Sequence, residues 1–233
     1  LTLSIDILFL LALYTVHYIF LAYKSKIPYD KIMPRIKEDV ISTIEIKKSR
    51  FLTYLHRTNQ EEEAKDFLKM IKKEHPGANH HCTAMIIGQI VRSNDDGEPS
   101  GTAGHPMLDV LQGKGMEDIL AVVVRYFGGT KLGTGGLVKA YSDSVKIALE
   151  KAALTEMTMF KEYEITFGYE WIGKLDGYFR NHQIEIISKE YEQTVTYHYL
   201  TQEDITQDIL ALSNGALFCT YIKEYPKEKI IES

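Results

Sequence analysis

Residues 125–144 read RYFGGTKLGTGGLVKAYSDS, with Gly128, Gly129, Gly133, Gly135 and Gly136 crowded into nine positions. Glycine at this density permits positive φ and lets a backbone come close to another group, at an entropic cost. A glycine loop that opens a helix offers free N–H groups and a positive dipole end to an anion. Nucleotide templates fit it poorly. Lys131 comes two residues ahead of Gly133 rather than directly after it, and GTGGLV lacks the third glycine of the dinucleotide fingerprint. Close helix-to-sheet packing is an equal use for these glycines. Their neighbours favour a contact surface: Arg125, Lys131 and Lys139 beside Tyr126, Phe127 and Tyr141 combine cations with aromatic faces. Single-stranded nucleic acids and protein partners are gripped by such combinations.

Two further clusters carry chemistry-bearing side chains. In NDDGEPSGTAGHP, 94–106, Asp95, Asp96 and Glu98 are of the type that holds a hard cation, but their spacing is not that of an EF-hand. Paired carboxylates for acid–base work stay open, because separation in space is not readable from sequence. The commoner use is a solvated turn in which Ser100 or Thr102 caps a helix. In HPGANHHC, 75–82, the residues His75, His80, His81 and Cys82 match no usual zinc spacing, and adjacent strand residues face opposite ways. His80 therefore reads as packed or hydrogen-bonded, and Cys82 as a thiol opening a buried strand, where thiols are inert. No catalytic residue, metal ligand or cofactor is assigned.

The elements that must position these clusters follow from the hydrophobic pattern. Residues 39–58 alternate in two stretches and predict two strands meeting near 47–50. Asn59 is placed to cap a helix whose first turn holds three glutamates and whose end is basic, with Pro76 and Gly77 as its stop. A strand from Cys82, a turn-rich segment, a short helix at 107–111 and a β-branched central strand from 118 come next. The glycine loop then feeds an amphipathic helix. Beyond Thr155 the pattern restarts as βαββαβ, the ferredoxin-like order of a four-stranded antiparallel sheet with two helices on one face. Tyr191, Tyr197, Tyr199 and Tyr221 fall in this part and serve either its core or an interaction face.

The chain has 233 residues, 45% apolar and 25% charged, which suits one large or two small globular domains. Cys82 and Cys219, far apart, fit a reducing cytosol better than a disulfide scaffold. Net charge is +1 over residues 1–32, +1 over 33–155 and −7 over 156–233. The acidic last third repels phosphates, so any nucleic-acid contact falls to the middle segment. Residues 7–23 form seventeen positions without a formal charge, followed by Lys24, Lys26, Lys31, Arg35 and Lys37. That pattern reads either as a membrane-spanning tether with the remainder in the cytoplasm or as a non-native extension ahead of Met33. Three regions are expected: 1–32, 33–155 and 156–233.

Four stretches in this order, KSRF (48–51), ANHHC (78–82), NDDGEPSGTAGHPML (94–108) and VVVRYFGGTKLGTGGLVKAY (122–141), resemble the Impact family, including its bacterial YigZ-type members. The resemblance implies an α+β protein. Its first domain would be like domain 2 of ribosomal protein S5 and domain four of elongation factor G, a β-sheet with helices on one face; its second would be ferredoxin-like, as in that factor. It also implies a cytoplasmic, translation-linked role, since eukaryotic relatives regulate translation under amino-acid starvation by binding an activator of a stress kinase. The expectation is a non-enzymatic regulator or module that contacts RNA, the ribosome or a translation protein. A nucleotide- or metal-dependent transferase or hydrolase built on the glycine and acidic loops is the alternative. The contact face is expected to take Arg50, His80, Asp95, Asp96 and Glu98 together with Arg125, Tyr126, Phe127, Gly128, Gly129, Lys131, Gly133, Gly135, Gly136, Lys139 and Tyr141.

Overall fold

The computed structural model describes residues 33–231. The apolar stretch at 7–23 lies outside them, and among the described residues no helix is long and apolar enough to cross a membrane. The chain divides between Glu156 and Met157, with Ile230 returning to the first unit.

In the first unit β1 (Arg35–Ile36) precedes the hairpin of β2 (Val40–Ile46) and β3 (Ser49–Arg57), and α1 (Glu61–Glu74) leads to a second hairpin, β4 (His80–Ile87) with β5 (Ile90–Asn94). Then come α2 (Gly104–Gly113), β6 (Ile119–Tyr126) and α3 (Gly133–Glu150). The sheet order is β2-β3-β6-β4-β5 with every neighbouring pair antiparallel. Central β6 is apolar in both directions: Ile119, Ala121 and Val123 join one core, Leu120, Val122 and Val124 another. A strand apolar on two faces must be covered on both. The α+β class holds, but helices lie on both sides of this sheet rather than on one. The core with Met107, Leu111, Tyr141 and Val145 belongs to α2 and α3, and Ala64 and Ile71 bring α1 to the opposite face.

Local signals explain most boundaries. Asn59 does not cap α1. Nor does the N-cap residue, Gln60, make a side-chain cap bond; Thr58 ahead of it accepts the Gln60 N–H at 3.1 Å and donates to Glu63 Oε2 at 2.5 Å, which ties the first turn to the preceding strand. The helix ends at Glu74, one residue before His75 and ahead of the Pro76–Gly77 stop.

The second unit is built from β7 (Leu154–Phe167), whose first three residues belong to the first unit, α4 (Ile172–Asn181), β8 (Glu185–Tyr191), β9 (Val195–Thr201), α5 (Thr206–Leu212) and β10 (Cys219–Ile230), whose last residue returns to the first. Its order β10-β7-β9-β8 is the ferredoxin-like arrangement. Tyr197 and Tyr199 are sealed in a core with Ile165, Phe179 and Ile209, whereas Tyr191 and Tyr221 are about half exposed.

Candidate functional site

The register Arg50↔Tyr126 and His80↔Arg125 brings the ends of β3, β6 and β4 together, and the acidic and glycine loops both leave from this end of the sheet. Beneath them lies a buried charge pair. Arg125 Nη1 donates to Glu98 Oε1 at 2.5 Å, and the Tyr141 hydroxyl donates to the same oxygen at 2.8 Å. All three residues are at most 7% exposed. Glu98, Arg125 and Tyr141 were expected on the contact face; they are instead an internal brace, because α3 turns Tyr141 inward and a buried arginine needs a carboxylate. Cys82 donates to the Tyr141 hydroxyl oxygen at 3.3 Å and is wholly buried. Burial pushes its thiol up to about 12, which leaves it protonated and inert.

The two aspartates hold the loop in shape. Asp95 Oδ1 accepts the N–H groups of Ala103 and Gly104 at 3.0 and 2.8 Å, and Oδ2 that of Gly101 at 2.8 Å. Asp95, rather than Ser100 or Thr102, therefore satisfies the first N–H groups of α2. Asp96 Oδ2 accepts from His81 N at 2.7 Å, and Oδ1 from Lys72 at 3.0 Å. Burial alone would raise the Asp95 carboxyl, but the three N–H groups outweigh it and hold it below the ordinary aspartate value. The Asp96 carboxyl is likewise lowered, burial being outweighed by His81 N–H and Lys72. A depressed folded value gives stability that is present above the unfolded value, about 4, and lost as pH falls through the folded one. Wild type and Asp95→Asn are therefore expected to differ most at neutral pH and to converge below about pH 4. Parallel stability curves would contradict the capping role.

His80 and Tyr126 also turn inward in part. His80 Nδ1 lies 2.9 Å from the Asp96 carbonyl oxygen and Nε2 lies 3.8 Å from Glu98. The Tyr126 hydroxyl is 2.9 Å from His75 Nδ1, and His75 Nε2 is 2.6 Å from the Tyr54 hydroxyl. Sequence reading missed this tyrosine–histidine–tyrosine chain, for which the only signal was His75 at the helix end. Lys139 is open to solvent but paired with Asp143 at 3.2 Å.

The outward-facing part is the glycine loop itself. Phe127, Gly129, Thr130, Lys131, Gly133, Thr134 and Gly135 are exposed, and Gly128 and Gly136 are half-buried. Gly128 is bare because another chain segment runs across it: a Cβ there would stand 2.0 Å from the Lys48 carbonyl carbon. Gly128→Ala is expected to cost about 1–3 kcal/mol by forcing backbone apart, measured by hydrogen exchange of β6. Gly133 opens α3 at φ +74°, a conformation that favours glycine.

The segment across Gly128 is the β2–β3 hairpin, whose two-residue loop is Lys47–Lys48. Both lysines have positive φ, 48° and 66°, where Asn and Gly are the usual residues. Arg50, also exposed, lies over the Tyr126 ring with its guanidinium carbon 4.9 Å from the centroid. Lys47, Lys48, Arg50 and Lys131 make no ion pair among the described residues. The surface therefore joins four cations without ion-pair partners among the described residues, Arg50 facing Glu45 across the hairpin, to one exposed aromatic ring.

Residues 47–149, from the lysine turn through α3, match the Impact N-terminal domain. The chain is 41% identical over 174 residues to the IMPACT family member YvyE of Bacillus subtilis (strain 168), across 73% of this chain and 80% of that protein. It is 47% identical over 163 residues to the IMPACT family member YigZ of Escherichia coli (strain K12), across 65% and 76% respectively. A crystal structure of a hypothetical protein overlays with a TM-score of 0.53 at 37% identity, covering 83% of this chain and 98% of that one. The matched domain contains the brace, the aspartate-held loop and the glycine loop alike, and by these relationships the chain belongs to the Impact family.

Proposed function

We propose that this chain is a non-enzymatic, cytosolic, translation-linked module that contacts RNA of the translation machinery through the glycine loop and the lysine turn. One observation carries the reading: Lys47, Lys48, Arg50 and Lys131 are exposed, without ion-pair partners among the described residues, around a bare, outward-facing backbone. Three lysines and an arginine gathered at one end of the sheet, on a chain of net charge −5, favour contact with a phosphate backbone there. Two of them occupy strained positive-φ positions, a cost of order 1 kcal/mol each, and such outliers cluster at functional surfaces. The alternative of an enzyme on the acidic loop loses its motive, because Asp95, Asp96 and Glu98 are engaged by the protein's own donors.

Co-sedimentation with purified ribosomes across a salt series tests this. Binding is expected at low salt and should weaken steeply as salt rises, because each phosphate contact releases counterions. Absence of binding at low salt, or affinity indifferent to salt, would contradict the proposal.

A further inference from the structure

We infer that the RNA held at this surface is single-stranded, with one base stacked on the open face of Phe127 and adjoining phosphates on Lys48 and Lys131; the inference rests on the RNA-contact reading above. Phe127 is the one aromatic among the exposed large apolar side chains described in the first unit, at 46% exposed. It is also held in place. Its N–H donates to Asn79 Oδ1 at 2.8 Å, and Gly128 behind it donates to Ser49 Oγ at 3.1 Å. The Arg125 guanidinium carbon lies 5.7 Å from its ring centroid and 5.5 Å from that of Phe51. Glu98 fixes that guanidinium in turn. A buried cation held by Glu98 thus lies against the ring, which is itself nearly half exposed.

A ring presented this way gains from a base only if the base has a free face. Bases in an A-form duplex are stacked above and below, so a surface side chain reaches just groove edges and phosphates. An unpaired base brings a free π-face, and every base has one, so the contact tolerates sequence. The cations belong to segments adjoining the ring. The Lys48 backbone packs on Gly128, directly after Phe127, and Lys131 lies in the same loop. The aromatic therefore supplies preference for strand state, and the lysines supply salt-dependent affinity without it.

The test is fluorescence anisotropy of the full chain with a labelled mixed-sequence RNA of about 12 nucleotides, used single-stranded and annealed to its complement. Phe127→Leu keeps an apolar cover over Arg125 but removes the stacking face; Phe127→Tyr keeps both. The wild type is expected to bind the single strand more tightly than the duplex. Phe127→Leu should lose about 5- to 100-fold on the single strand and little on the duplex, with Phe127→Tyr near wild type. Hydrogen exchange of β6 in each variant checks that the brace is intact. Equal binding of both RNAs, with Phe127→Leu unchanged on each, would overturn the stacking inference and leave the RNA-contact reading standing. An equal loss in Phe127→Tyr and Phe127→Leu, with β6 still protected, would also overturn it. No binding of either RNA at low salt would bring down the RNA-contact reading itself.

Discussion

Glu98→Ala is expected to destabilise the first unit by about 3–5 kcal/mol, the loss found when one member of a buried ion pair is removed and its partner charge stays behind. Arg125 cannot shed its proton and is about 5% exposed, so the orphaned guanidinium must either remain buried or drag the end of β6 toward water. The second course would also undo the packing of Phe127 and Gly128 behind it. A domain of this size has about 5–15 kcal/mol to lose, so the variant lies close to unfolding at physiological temperature. Tyr141→Phe removes one hydrogen bond from a carboxylate still held by Arg125 and should cost only about 1–2 kcal/mol. The informative variant is the double replacement Glu98→Leu with Arg125→Met. Exchange of both charges for apolar groups should recover most of the loss, since a buried pair breaks roughly even against hydrophobic packing. Trp171 is the one tryptophan and belongs to the second unit, so its fluorescence is blind to this change. Hydrogen exchange of β6 amides, in the full chain, is the readout. Unaltered β6 protection in Glu98→Ala would show that the brace contributes nothing.

Replacing Lys47–Lys48 with Asn–Gly is expected to move stability and RNA affinity in opposite directions. Both positions have φ in the left-handed region, where a lysine is strained and Asn–Gly is the preferred two-residue hairpin. Relief of that strain should stabilise the hairpin by about 1–2 kcal/mol. The same change removes two cations from the proposed contact. The slope of log affinity against log salt should then flatten by about 1.4 for a single strand if both lysines meet phosphates. Loss of affinity in a protein that has become more stable has no explanation in unfolding. A variant that is stabilised yet binds RNA with unaltered slope would remove the lysine turn from the interface.

The parts of this molecule visible in its sequence are those written in nearest-neighbour patterns. The β-branched run at 119–126 announces a central strand, and its apolar character on both faces implies two covering layers, although one was expected. The βαββαβ rhythm after Thr155 likewise follows from alternation and turn residues. What stayed hidden depends on register between distant segments. Glu98 meets Arg125 across 27 positions and Tyr141 across 43, and nothing in the spacing of a loop carboxylate separates a surface group from a brace. Asp95 caps a helix that starts nine residues later, beyond the span at which capping residues are sought. The lysine turn reaches the glycine loop only because Arg50 pairs with Tyr126. Density of glycine and charge singles out this stretch of the sequence. It could not sort the side chains that hold the surface from those that form it.

Crosslinking of the intact protein in living cells, followed by identification of the crosslinked peptide and its attached molecule, tests the proposed interface most directly. RNA is expected on the tryptic peptides that carry Phe127 and the Lys47–Lys48 turn, with loss of those adducts in the Asn–Gly variant. RNA adducts confined to the second unit, or a surface around Phe127 that captures no RNA while ribosomal RNA crosslinks to other proteins in the same cells, would contradict it.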